Sequence, residues 1–324
     1  MDAIRPLSFD DFLGRLKAAS EATRLRLVVL LSHCELTVTD LTLILGQSQP
    51  RISRHLKLLS EAGLIERYPE GAWVYYRLMD DGPGSSLIRG LLKDIDPEDP
   101  QLVRDRERLS EVKKAHQEAA NRYFDANARE WDLLRSRHVP EAAVEAAMLG
   151  TFGDEHFKSH LDIGTGTGRM LELFSERADR SIGIDANPRM LSIARNKLLQ
   201  RSRSAQVRQA DVYNLAFQGG VLPPSFDLVT IHQVLHYLDD PARALSEVAR
   251  VTAPGGRWII VDFAAHNLEF LRDEYAHRRL GFGDEQMATW IESVGLTPQE
   301  ITKLEPEAVS GEELTVTIWT AVKP

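Results

Sequence analysis

The chain has 324 residues, 43% hydrophobic and 27% charged, which gives apolar surface enough for two cores and excludes a disordered or fibrous protein. Its single cysteine, Cys34, excludes an intramolecular disulfide and a cysteine-rich metal cluster, and no apolar run reaches the length of a membrane span. The net charge of −9 argues against nucleic acid only until it is located: residues 1–92 hold 11 Lys+Arg and 11 Asp+Glu, so the negative excess is all C-terminal to them.

In chain order, Phe9 to Ala18 has Phe9, Phe12, Leu13 and Leu16 at helical spacing. Ser20 is placed to cap a second helix carrying Leu25, Val28, Val29 and Leu30. Thr39 to Leu45 predicts a short helix closed by Gly46. Ser48-Gln49-Pro50 opens another, with proline in an early helical position. There Ile52, Leu56 and Leu59 face inward, while Arg51, Ser53, Arg54 and Lys57 face outward. Leu64–Tyr68 and Trp73–Leu78 flank Glu70-Gly71 as a β-hairpin. Two helices joined by a glycine turn, the second basic, predict a helix-turn-helix with a wing. Taken alone, the same pattern also fits a small helical domain with a solvated charged face.

From Thr23 to Leu78 the chain resembles the ArsR/SmtB winged-helix repressors, through Arg51-Ile52-Ser53-Arg54-His55-Leu56-Lys57-Leu58-Leu59, Ala62-Gly63-Leu64-Ile65 and Trp73-Val74-Tyr75-Tyr76-Arg77-Leu78. The resemblance implies a homodimer formed through the first and last helices, near residues 8–18 and 84–93, and double-stranded operator DNA as partner. It makes Gln49, Arg51, Ser53 and Arg54 candidates for base edges. Lys57 and the wing residues Arg67 and Arg77 are candidates for phosphates; Arg can read guanine bidentately, whereas a compact Lys charge mostly positions. His55 is read as a packing residue. The chain departs from the family's metal sensors at Glu35-Leu36-Thr37-Val38-Thr39-Asp40-Leu41, where those sensors carry cysteine at both threonine positions. Hydroxyls are poor soft-metal ligands, and Asp80-Asp81-Gly82-Pro83-Gly84 is followed by no histidine pair. No metal site is therefore expected.

Residues 93–117 read as a linker feeding a charged helix that continues to about Arg122, either transmitting geometry or acting as a solvated spacer. Tyr123-Phe124-Asp125 and Ala128-Arg129-Glu130-Trp131-Asp132 precede the next domain; Tyr123 and Trp131 are core aromatics or parts of a lid.

Leu161-Asp162-Ile163-Gly164-Thr165-Gly166-Thr167-Gly168 is a buried strand running into a glycine turn and a helix from Arg169. Its spacing is not the G-x-G-x-x-G of a dinucleotide site, and the acid ahead of it suits a cationic or amino-acid-like ligand. Strands ending in acids follow at Ser181–Asp185 and Ala205–Asp211, and another strand at Phe226–His232. Over residues 118–324 the chain resembles the class I S-adenosylmethionine (SAM)-dependent methyltransferases. Carried over, Asp162, Gly164, Gly166 and Gly168 meet the amino-acid end of SAM or of its product S-adenosylhomocysteine (SAH). Asp185 takes the ribose, Asp211 and Val212 the adenine, and His232 lies beside the cofactor. Asp240 and Pro241 start a helix running to Val251. Ala253-Pro254-Gly255-Gly256 turns into a strand at Trp258–Phe263, and Leu314–Ala321 is the last strand, antiparallel by the resemblance.

The carboxyl edge of this sheet gathers His232, Gln233, His236, Tyr237, Asp262 and His266, of which His236 is the candidate catalytic base or substrate contact. Methyl transfer itself asks for alignment and at most one proton acceptor. The basic stretch His277-Arg278-Arg279 reads as a solvated face first, then a docking surface, then a site for an acidic substrate.

The expected fold is therefore a mainly α winged helix-turn-helix (1–92), a charged linker (93–117) and an α/β doubly wound, Rossmann-like methyltransferase domain (118–324). The expected function is a cytoplasmic DNA-binding regulator that senses SAM or SAH, or methylates a small-molecule acceptor, with no membrane partner. The alternative is chiefly a small-molecule methyltransferase whose winged helix serves dimerisation.

Overall fold

The computed structural model describes residues 7–79, 83–128, 131, 141–201, 205–215, 226–306 and 314–324. Asp80–Gly82 after the hairpin, and Arg129, Glu130 and Asp132, lie outside the described residues. The contacts divide the chain into two units, 1–118 and 119–324.

In the first unit, helices α1 (Phe9–Ala19), α2 (Ala22–Leu31), α3 (Val38–Leu45) and α4 (Gln49–Glu61) precede strands β2 (Ile65–Glu70) and β3 (Trp73–Leu78), with the short β1 (Leu36–Thr37) paired to β3. Helices α5 (Pro83–Lys93) and α6 (Pro100–Asn127) follow. Ile52, Leu56 and Leu59 of α4 join Leu27, Leu41 and Ile44 in one buried cluster, as their spacing predicts. α3 ends at Gly46, whose φ of +63° is a left-handed cap that a side chain would resist. The cap of α2 differs from expectation: the Glu21 side chain, not Ser20, accepts the Arg24 N–H at 2.9 Å. A longer side chain one residue closer to the helix reaches the same open donor.

The charged helix is longer than its composition indicated, running unbroken from Pro100 to Asn127. Its early turns are fastened to the first unit by side chains. Asp105, 1% exposed, receives both Arg26 nitrogens at 2.6 and 2.7 Å. Arg108 donates to the Ile44 carbonyl at 3.1 Å, and His116 lies 3.4 Å from Asp40.

The second unit is a seven-stranded sheet in the order β6-β5-β4-β7-β8-β10-β9, with β4 (His160–Ile163), β5 (Ser181–Asp185), β6 (Ala205–Gln209), β7 (Phe226–His232) and β8 (Thr252–Phe263) parallel. β10 (Val316–Val322) is antiparallel to both β8 and β9 (Thr297–Leu304). Alternation along β8 separates two cores: Trp258 and Ile260 pack with Leu161, Val229 and Ile231, whereas Ile259, Val261 and Phe263 pack with Leu228 and Met170. The expected turn at 253–256 is instead a bulge inside β8. Thr252 pairs with Phe226 and Arg257 with Leu228, so the four residues 253–256 stand opposite Asp227 alone. Strand order reverses about β4, leaving a crevice at the carboxyl ends of β4 and β7, where open α/β sheets hold ligands.

Candidate functional site

In the first unit the candidate reading residues share one solvent face. Gln49, Arg51, Ser53, Arg54 and Lys57 are exposed along α4, because the turns between them bury Ile52, Leu56 and Leu59. Arg67 on β2 is exposed as well. Arg77 is placed differently from these. It is half-buried on β3, donates from Nε and Nη2 to Glu66 Oε2 at 3.1 and 2.9 Å, and lies 3.8 Å from Glu35. Two carboxylates already neutralise it, so it is poorly suited to a phosphate. His55 is half-buried against Glu21, and burial, with Arg24, Arg51 and Arg54 nearby, keeps its imidazole below its ordinary value.

The departure from the metal sensors has a structural consequence. Thr37 is the cap of α3: its Oγ1 accepts the Asp40 N–H at 3.2 Å while Asp40 accepts the Thr37 N–H at 3.1 Å. A hydroxyl completes this reciprocal cap. Among the described residues no group of three or more His, Cys, Asp or Glu side chains could hold a metal.

In the second unit, Gly164, Gly166 and Gly168 have φ of +64°, +53° and +87°. At Gly164 a Cβ would meet Val234 at 2.4 Å, so the bare backbone lets the segment after β7 close over the turn. The turn is stitched to the neighbouring strand: Thr165 N–H donates to the Ile184 carbonyl at 2.8 Å and Gly166 N–H to Asp185 Oδ2 at 2.9 Å. Asp185 Oδ1 accepts the Asn187 N–H at 2.8 Å. Burial raises the Asp185 carboxyl from its ordinary value, against the lowering effect of these amides. Each of its oxygens still has a lone pair for a ligand hydroxyl.

Asp211 is exposed just past β6, in a turn closed by its bond to the Tyr213 N–H at 2.9 Å, and Val212 packs against the core. Since Asp185 pairs with Gln209, the two acids stand at adjacent strand ends. Asp162 sits deeper, within the sheet. His160 Nε2 donates to Thr230 Oγ1 at 2.8 Å and Thr230 donates on to Asp162 Oδ1 at 2.7 Å. With the one hydroxyl proton committed to Asp162, Nε2 must carry the His160 proton, and burial lowers that imidazole to about 3.

At the end of β7, His232 is buried and Gln233 takes φ +53°, a strained conformation for a side-chain-bearing residue at a candidate site. A 3-10 turn, Leu235–Tyr237, brings His236 onto Asp262 of β8, with Nδ1 and Oδ1 2.7 Å apart. Both residues are buried. Trp131 Nε1 lies 3.6 Å from where a Gly166 Cβ would be, and Trp131, Phe124 and Tyr237 form a ring cluster over this edge. Asp125, on the last turns of α6, accepts the Asn187 amide at 3.0 Å.

The basic stretch is a correction, because it is not a solvated face. Arg279 is 1% exposed, and the Arg278 and Arg279 N–H groups donate to the His236 carbonyl at 2.8 and 2.9 Å. Arg278 pairs with Asp239 at 2.9 Å and Arg279 donates to the Asp239 carbonyl at 2.9 Å. The stretch pins the His236 turn, through partners some forty residues away in sequence that no local pattern announces.

Residues 21–67 match the arsR family of bacterial regulatory proteins, and residues 161–260 match the methyltransferase domain family. The chain is 54% identical over 63 residues to the arsenical resistance operon repressor of Escherichia coli, covering 19% of this chain and 54% of that protein. It is 39% identical over 134 residues to the demethylmenaquinone methyltransferase of Thermus thermophilus, covering 41% of this chain and 55% of that one. The chain thus spans about half the length of these curated relatives. Among solved structures, the N-methyltransferase NodS of Bradyrhizobium japonicum in complex with SAH is 18% identical with a TM-score of 0.52, over 63% of this chain and 98% of that one. A putative methyltransferase bound to the Haloferax volcanii Trm112 activator is 20% identical, also at 0.52, over 62% and 97%. The chain therefore joins an arsR-type helix-turn-helix segment to a class I methyltransferase-type domain.

Proposed function

We propose that this protein is a DNA-binding regulator whose C-terminal unit, residues 118–324, binds SAM or SAH and passes the occupancy of that site to the winged helix in residues 1–92. The observation that carries the reading is the contrast between two inherited sites. The soft-metal position is converted to a helix cap at Thr37 and Asp40, while the glycine turn and its paired acids Asp185 and Asp211 keep the form a sulfonium amino acid with a nucleoside needs. The residues fit that ligand: bare backbone at Gly164, Gly166 and Gly168 for the amino-acid end, Asp185 for ribose hydroxyls, and Asp211 with Val212 beside the base. Asp162, bonded to Thr230, would act beneath the turn by holding it, and His232 would line its rim. Of the two, SAM would supply an electrophilic methyl.

An exposed row of Gln49, Arg51, Ser53, Arg54 and Lys57 is what a reading helix requires and a pure dimerisation module does not. Phe9, 81% exposed, and Phe12 give α1 an apolar face suited to a second copy of the chain. The helix α6 gives the coupling a physical carrier. It bears Asp105, Arg108 and His116, bonded to α2 and α3, and also Asp125, bonded to the residue whose N–H holds Asp185.

The test is binding of the full chain to DNA from its own promoter, alone, with SAM and with SAH, at one stated salt concentration. A several-fold ligand-dependent shift, lost along with DNA binding in Arg54→Ala but with SAH affinity kept, is expected. No specific DNA binding under any condition would favour the second reading, an enzyme acting on a small molecule. One observation supports that reading independently, the carboxylate-held imidazole of His236.

A further inference from the structure

Above the cofactor edge of the second unit lies a group of side chains that neither DNA reading nor cofactor binding uses. His236 is 1% exposed, and its Nδ1 faces Asp262 Oδ1 at 2.7 Å. A carboxylate can only accept, so Nδ1 carries a proton, and in the neutral imidazole Nε2 then presents a lone pair. That Nε2 is buried and has no hydrogen-bond partner among the described residues. Asp262 is itself held, accepting the Phe263 N–H at 2.8 Å and the His236 N–H at 3.3 Å, so the dyad has one geometry. A buried polar atom without a partner is unfavourable, which makes this lone pair a feature to be explained.

Its surroundings are aromatic. Tyr237, His277 and Phe263 approach the His236 ring with centroids at 4.1, 4.2 and 5.1 Å. Tyr123, Trp131 and Tyr275, all half-buried, extend the wall toward solvent, with Tyr123 centroids 6.2 Å from Tyr275 and 6.4 Å from Trp131. Trp131 also closes on Gly166, which sets this box beside the cofactor turn. Burial, with Tyr123 and Asp262 close by, pushes the Tyr237 hydroxyl well above its ordinary value, which leaves it a neutral donor rather than a base. The neighbouring cations have partners of their own, Arg278 and Arg272 the carboxylates of Asp239 and Glu269, and Arg279 the Asp239 carbonyl.

We propose that this box is the acceptor site, that it takes a planar aromatic molecule bearing a hydroxyl, and that His236, positioned by Asp262, is the group that removes the hydroxyl proton. The proposal rests on the cofactor reading above and deepens it by naming the second ligand. Flat rings pack favourably against tilted and edge-on aromatic walls. A phenolic hydroxyl is neutral near pH 7 and needs a base, whereas a carboxylate or a free thioether does not. In transfer, the acceptor's O–H proton goes to His236 Nε2 and an oxygen lone pair forms the new C–O bond. The C–S bond of the sulfonium donor breaks with its electron pair left on sulfur, and the imidazolium returns the proton to water. Asp262 stabilises the imidazolium while it lasts. Arg278 and Arg279, through the His236 carbonyl, are positioning residues.

The test reads protonation rather than turnover. The full-length protein, with and without SAH, is titrated with 4-nitrophenol at a pH below the probe's own pKa, and the visible absorption of the bound phenolate is recorded. SAH binding is measured separately by calorimetry. The expected result is a bound-phenolate fraction about tenfold above that of free probe, one pKa unit, and its loss in His236→Gln and in Asp262→Asn with the probe still bound. Probe that binds wild type as the neutral phenol, an unchanged phenolate signal in folded His236→Gln, or no probe binding at all would overturn the proposal. If the variants fail to fold by circular dichroism, the wild-type spectrum alone decides. Absence of SAH binding would sink the cofactor reading, while the probe arm without SAH still judges the dyad.

Discussion

Two short segments, 35–41 in the first unit and 161–168 in the second, are where the resemblance of each unit leads one to expect a ligand site, and they are built in opposite ways. At 35–41 the side chains that would ligate are replaced, and what stands there works for the fold: Thr37 and Asp40 cap α3. At 161–168 the proposed ligand-facing chemistry is backbone, held in left-handed conformations and tied to Asp185. A site made of side chains can be lost by substitution with the fold intact. A site made of backbone and strand ends is the fold itself, and cannot be removed without cost to the sheet that carries it.

That contrast can be broken most severely at Gly164. Gly164→Val combines a φ of +64° with a Cβ 2.4 Å from Val234, and is expected to lower unfolding stability by on the order of 3 kcal/mol and abolish SAH binding, read by chemical denaturation and calorimetry. Near-wild-type stability would mean that the turn is not built as described. Asp185→Ala separates ligand from fold. It should weaken SAH by about 2 kcal/mol, through lost charged hydrogen bonds, and unchanged SAH affinity would show Asp185 to be as structural as Asp40.

A third effect concerns pH. The His160 imidazole is lowered to about 3 from an ordinary 6.5, so below pH 6.5 the unfolded chain takes up a proton that the folded chain refuses. Stability supplied by neutral His160 is present above 6.5 and falls, by about 1.4 kcal/mol per pH unit, as pH drops toward 3. Denaturation midpoints of the second unit should follow that slope, and in His160→Gln the contribution should vanish. The smallest effect is expected from Thr37→Ala, about 1 kcal/mol from the lost cap of α3, with SAH affinity unaltered.

The elements were legible in the sequence wherever the cause is local. Glycine spacing gave the turn after β4, apolar spacing gave the inner face of α4, and strand-then-acid runs gave Asp185 and Asp211. What was not legible depends on partners far away in the chain. Arg77 is held by Glu35, the His277–Arg279 stretch by Asp239 and the His236 carbonyl, and the bulge in β8 by its register with Phe226 and Leu228. The His236–Asp262 contact joins two stretches each visible as a sheet edge, but nothing in either announces the other.

Thermodynamic coupling of the two units, as proposed, requires that DNA and SAH change each other's affinity equally. SAH is titrated calorimetrically into the full chain alone and into the chain saturated with its promoter DNA, at one salt concentration. Two different affinities are expected, in the same ratio by which SAH changes affinity for the DNA. Equal SAH affinities with and without bound DNA would contradict the coupling.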